Sequence, residues 1–138
     1  MNHHFTQNIC ISAYAGYIPR FKIAVDDIHA VHHPQLESNS RLFKAVPDKD
    51  EDTGTFSLQI AHQIIQSFPH IDINQLGAIY VGSESHPYAV KPTGTLLADF
   101  LRTPHTTSAN LEFACKAGTA ALQIVAAQVA SGMITYGL

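Results

Sequence analysis

The stretch Glu112-Phe-Ala-Cys-Lys-Ala-Gly-Thr-Ala-Ala-Leu122 sets one thiol, Cys115, where a short apolar run passes into a long alanine-rich helix. A thiol at a helix start lies beside unpaired backbone N–H groups and the positive end of the helix dipole, which favour thiolate. Lys116 adds a positive charge beside it. Thiolate is the nucleophilic form, so acyl transfer is the chemistry this position suits. A free cysteine is also commonly a small buried hydrophobe, and position alone does not separate the two. Gly118 and the neighbouring alanines would let a bulky acyl group approach the backbone, or would serve tight helix packing.

A second candidate is Glu84, in Gly82-Ser-Glu-Ser-His-Pro87. This loop follows the continuously apolar segment Leu76–Val81, which reads as a strand from the middle of a parallel sheet. Ligands of open α/β sheets bind at the carboxyl ends of such strands. A carboxylate partly desolvated there suits proton abstraction next to a carbonyl; the alternative is a loop glutamate in water. Ser83, Ser85 and His86 do not make a serine hydrolase, because neither serine has glycines two positions to either side.

Nine histidines include His3-His4 and the group His29, His32 and His33. The latter group could put two imidazoles on one helix face, but no carboxylate or cysteine completes a ligand set, so no metal is expected. Cys10 sits among isoleucines and reads as structural. Two cysteines make neither a disulfide framework nor a zinc-ribbon spacing, which points to a reduced, cytoplasmic setting. A net charge of −3 gives no electrostatic case for nucleic acid or anionic membrane. The beginning of the chain lacks a signal-peptide pattern, and no apolar run is long enough to span a bilayer. With 46% hydrophobic and only 14% charged residues, 138 residues suit one domain with much of its surface covered by further chain or by a partner.

The elements that must position these residues follow from periodicity and breakers. Residues 9–15 read as a first strand, stopped by Gly16 and Pro19. Residues 20–31 carry helical spacing at Ile23, Ala24, Ile28 and Val31, with Pro34 as a stop. Residues 34–52 read as a loop whose acidic run, Asp48 to Asp52, feeds a helix start. A helix over 53–68 presents Phe56, Ile60, Ile64 and Phe68 on one face. A short helix over 93–101, a Thr/Ser/Pro/His loop over 103–109 and a brief strand over 111–114 follow. The helix over 115–131 is apolar nearly all round, hence central and buried, and Gly132 closes it. The alternation of strands and helices implies α/β layering.

Five segments together resemble the hydroxymethylglutaryl-CoA synthases, particularly their archaeal-type branch, within the thiolase and ketoacyl-synthase superfamily. They are Tyr17-Ile-Pro-Arg-Phe-Lys-Ile23, Val46-Pro-Asp-Lys-Asp-Glu-Asp-Thr53, Val81-Gly-Ser-Glu-Ser-His-Pro-Tyr-Ala-Val-Lys-Pro-Thr93, Leu111-Glu-Phe-Ala-Cys-Lys-Ala-Gly-Thr-Ala-Ala-Leu122 and Ser131-Gly-Met-Ile-Thr-Tyr-Gly-Leu138. The resemblance implies that Cys115 takes an acetyl group from acetyl-CoA as a thioester. It implies that Glu84 is the acid/base that lets the acetyl methyl attack acetoacetyl-CoA, with hydrolysis releasing the product. The implied substrates are CoA thioesters, with no bound cofactor, and the implied setting is the mevalonate route to isoprenoids.

The same resemblance implies residues 1–138 as the amino-terminal half of a thiolase-like layered fold, a mixed sheet with a buried central helix. The catalytic histidine and much of the CoA site would lie in a second half, so no histidine here takes that role. Expected partners are a second copy or a complementing chain, with a thiolase and a zinc-ribbon/OB-fold protein as family-level associates. A different class of reading is a non-catalytic module that binds a related synthase through the half-fold's interface. A ketoacyl synthase or thiolase is disfavoured by the Glu84 segment.

Overall fold

A computed structural model describes residues 8–35 and 40–138; His3 and His4 lie outside the described residues. Two compact units form: residues 17–51, and residues 8–16 together with 52–138.

In the larger unit the first helix, here α2 (Thr53–Ser67), starts where the acidic run ends. Asp52 caps it, its carboxylate accepting from Thr55 N–H while the Thr55 hydroxyl accepts from Asp52 N–H, a reciprocal capping box. Strand β3 (Leu76–Gly82) follows a short turn capped by Asp72. Asn74 N–H, then the Gln75 and Asn74 side chains, hold the Asp72 carboxyl below its ordinary value. Helix α3 (Thr93–Phe100) leads into strand β4 (Thr107–Leu111), and α4 (Ala117–Ala130) leads into the two-residue strand β5 (Tyr136–Gly137). The sheet order is β4-β3-β5, all parallel.

Alternation along β3 divides its neighbours between two faces. Ile79 and Val81 join Leu97 of α3 and Ala61 of α2 in the core. On the opposite face Tyr80 accepts a hydrogen bond from Gln128 of α4 at 2.9 Å, and Gly82 abuts the start of α4. The central strand is thus sandwiched between helices, the α/β layering expected.

Helix α4 ends as its sequence predicts. Gly132 adopts φ 73°, with Met133 N–H bonded to Gln128 C=O and Gly132 N–H to Val129 C=O, the paired bonds of a Schellman cap. Its burial is one-sided. Ala117, Ala121 and Ala130 are buried, whereas Leu122 is 55% exposed. A groove between α4 and the β5 edge of the sheet is lined by Gly118, Ala121, Leu122, Val125, Gly137 and Leu138.

Three sequence expectations are corrected. Residues 9–15 form no strand: Cys10 is exposed, as are Ile11 and Tyr14, and among the described residues nothing pairs with this stretch. The brief strand expected over 111–114 lies earlier, at Thr107–Leu111, inside a stretch whose polar side chains predict a loop. In the smaller unit, residues 20–24 open as strand β1 (Phe21–Ala24) before helix α1 (Val25–His32). Strand β2 (Phe43–Val46), inside the expected loop, pairs antiparallel with β1. Lys22 stacks on the Phe43 ring across this ladder.

The smaller unit also holds a defined acid–phenol contact. The Tyr17 hydroxyl donates to Glu51, whose other oxygen accepts from Asp48 N–H at 2.8 Å. The Tyr17 bond, seconded by Asp48 N–H, holds the Glu51 carboxyl below its ordinary value, and the Glu51 bond raises the Tyr17 phenol. The signs follow from linkage. Glu51's contribution is present above its unfolded pKa and is lost as pH falls through its lowered folded value. Tyr17's is full below its unfolded pKa and is lost as pH rises through its raised folded value. Tyr17→Phe is therefore expected to move the Glu51 titration midpoint upward, read by carboxyl ¹³C NMR; an unmoved midpoint would contradict the assignment.

Candidate active site

Strands β3 and β4 run in parallel register with Gly82 opposite Leu111, and Ser83 N–H donates to Leu111 C=O at 3.1 Å. Both sequence-predicted residues leave from this one sheet end, Glu84 two residues beyond β3 and Cys115 four beyond β4. A tight turn carries the chain from β4 into α4. Lys116 N–H donates to Phe113 C=O and Ala117 N–H to Ala114 C=O. Two amides beside the thiol are thus engaged by the turn, and α4 begins at Ala117 with Lys116 as its cap. Cys115 stands just ahead of the helix and is exposed.

Ala114 takes φ 47°, a left-handed conformation unusual for a residue with a side chain. Its N–H donates to Glu84 Oε1. The carboxylate therefore grips the backbone of the residue before the thiol, a charge-assisted bond that steadies a strained turn. Glu84 is exposed, so the larger unit by itself does not supply the desolvation expected from sequence.

The close approach of β3 to α4 depends on Gly82. A Cβ there would fall 2.5 Å from the Ala117 carbonyl carbon and 2.6 Å from Gly118 N, both backbone atoms that cannot swing aside. Gly82→Ala is expected to destabilise the fold by about 1–3 kcal/mol through overpacking, measured as a lowered denaturation midpoint; wild-type stability would show that α4 shifts freely.

Sequence reasoning missed the supports of the Glu84 loop. Thr53, at the start of α2, binds Ser83 and Ser85. His86 Nδ1 lies 3.0 Å from Oγ1 of the fully buried Thr93, whose N–H donates to Asn110 Oδ1 at 2.8 Å. The first link spans 30 residues in sequence, and the placement of Thr53 after a capping Asp is its sole local sign. The His29 and His33 rings contact each other with centroids 5.9 Å apart, and among the described residues no group of His, Cys, Asp or Glu could hold a metal. No helix among the described residues is long and apolar enough to cross a membrane.

The hydroxymethylglutaryl-CoA synthase of Methanosphaera stadtmanae is 50% identical over 133 residues, 93% of this chain. This chain is a relative of the archaeal hydroxymethylglutaryl-CoA synthases. It spans 38% of the length of that relative. No family model matches. Among solved structures, MvaS in complex with 3-hydroxy-3-methylglutaryl coenzyme A superposes with a TM-score of 0.73 at 25% identity, covering 89% of this chain and 30% of that one. Xanthomonas campestris OleA superposes with a TM-score of 0.81 at 19% identity, over 96% of this chain and 42% of that one. The fold is accordingly that of the thiolase-like synthases.

Proposed function

We propose that this chain carries the nucleophile and the acid/base of a hydroxymethylglutaryl-CoA synthase-type condensation, and constitutes the amino-terminal, thiolase-like half of that apparatus. The observation that carries the reading is the Glu84 carboxylate bound to the N–H of Ala114, next to Cys115 at one end of a parallel sheet. In this reading the Cys115 thiolate attacks the carbonyl of acetyl-CoA and expels CoA thiolate, leaving an acetyl thioester on the enzyme. Glu84 then takes a proton from the acetyl methyl, and the resulting carbanion attacks the ketone of acetoacetyl-CoA. Water finally cleaves the enzyme thioester. The two carboxylate duties are compatible: one oxygen holds the Ala114 amide, and the other remains for proton transfer.

Incubation with acetyl-CoA followed by intact mass and peptide mapping tests the first step. One acetyl group on the Cys115 peptide is expected. Acetylation confined to other residues would overturn the reading. The full condensation is expected only when a chain supplying the remainder of the synthase is added.

The exposed Leu122 and the groove between α4 and the β5 edge favour a second reading, a module that docks on a related synthase through that groove. Under that reading Cys115→Ala leaves the docking unchanged, whereas Leu122→Asp, which puts a charge in the groove, abolishes it.

A further inference from the structure

Glu84 is flanked by two serines whose side chains share one partner. Ser83 Oγ and Ser85 Oγ lie 3.2 and 3.1 Å from Thr53 Oγ1, and the Thr53 hydroxyl donates to the Ser85 carbonyl at 2.8 Å. The two serine hydroxyls are 3.2 Å apart, and Ser85 N–H donates to Ser83 Oγ at 3.1 Å. The single proton of the Thr53 hydroxyl goes to the Ser85 carbonyl, so its oxygen is left to accept from the serine hydroxyls. Three short-range contacts thus converge on one threonine at the first position of α2.

The consequence for Glu84 is directional. The chain bends at Glu84, and the residue on either side of the bend is held by the same threonine. With Ser83 and Ser85 both held at Thr53, the backbone on both sides of Glu84 is fixed, and the Glu84 Oε1 accepts from Ala114 N–H. The far end of the loop is tied separately, through His86, buried Thr93 and Asn110. A carboxylate on an exposed loop has several free torsions, and at an exposed site such hydrogen bonds do more to select an orientation than to add stability.

We propose that Thr53 is a positioning residue: through Ser83 and Ser85 its hydroxyl sets the Glu84 carboxylate against the Cys115 turn. The role of Glu84 in proton transfer rests on the acyl-transfer reading above, whereas the placement of its carboxylate can be read without any catalysis.

The Ala114 amide proton supplies that readout in ¹H–¹⁵N correlation spectra, because its resonance follows ionisation of the carboxylate that accepts it. In the unaltered chain it shifts downfield as pH rises through the range in which Glu84 ionises, and Glu84→Gln removes this response. Thr53→Val is expected to abolish the pH-dependent shift, while Thr53→Ser, which keeps the hydroxyl, restores it. Should Thr53→Val fail to give a dispersed spectrum, Ser85→Ala, at an exposed position, is expected to reduce the shift. A wild-type response in Thr53→Val, an equal loss in Thr53→Val and Thr53→Ser, or a wild-type response in Ser85→Ala overturns the proposal. Failure of the acyl-transfer reading shows separately, as absence of acetyl on Cys115 while the Ala114 resonance still depends on Thr53.

Discussion

Cys115→Ala is expected to abolish acetyl loading from acetyl-CoA, whereas Cys10→Ala leaves it intact. The comparison is informative because both thiols are exposed. Exposure alone would let either react with an activated thioester, and a purely chemical background would label both. Three features distinguish Cys115: the helix dipole of α4 behind it, Lys116 beside it, and a turn held by Glu84. Among the described residues Cys10 has a weak contact, at 3.7 Å, with the Ser12 hydroxyl. Loss of a nucleophile removes the covalent path altogether, and in enzymes built on one such residue the rate falls by about 10⁴-fold or more. Intact mass after timed incubation checks this; persistent loading in Cys115→Ala at the rate of the unaltered chain would remove Cys115 from the mechanism.

The exposure of the thiol and the carboxylate follows from the same cause as the bare face of α4. A helix apolar on nearly every side is stable when covered on every side, and in this chain the sheet covers only one. Leu122, 55% exposed, marks the other. Cover at this end of the sheet would exclude water from Glu84 and strengthen its electrostatic coupling to the turn.

The legible parts of the sequence were those whose signal was both local and long. The spacing of Phe56, Ile60 and Ile64 gives α2 to within a residue or two, and the apolar run of β3 gives the central strand. Gly132 gives the end of α4. The β1–β2 pair was illegible because its strands are four residues each and mostly exposed, so no apolar alternation marks them. Residues 9–15 misled in the opposite direction. Their pattern is that of a strand, but a strand is a property of a pair, and no described residue supplies the partner. At the site, Cys115 and Glu84 could be named from chemical type and neighbouring breakers. Thr53 could not, since its contacts to Ser83 and Ser85 exist only once α2 packs beside the end of β3.

Glu84→Gln is expected to separate the two chemical steps. The amide oxygen of glutamine still accepts from Ala114 N–H, so the turn before Cys115 keeps its support and acetyl loading continues within a few-fold. Glutamine takes no proton, however, and loss of a positioned general base costs about 10²–10⁴-fold in the step it serves. That step is enolisation of the acetyl thioester, and it leaves a direct record in D₂O as deuterium in the acetyl methyl. Exchange in the loaded chain is therefore expected to fall by that factor in Glu84→Gln. Glu84→Ala differs from it in one respect: losing the acceptor as well, it releases Ala114 from its left-handed conformation and slows loading too. The pair of variants thus distinguishes a base from a strut. Equal loading and equal exchange in Glu84→Gln and the unaltered chain would leave Glu84 as a structural contact only, while equal defects in both steps for both variants would make its role that of holding the turn.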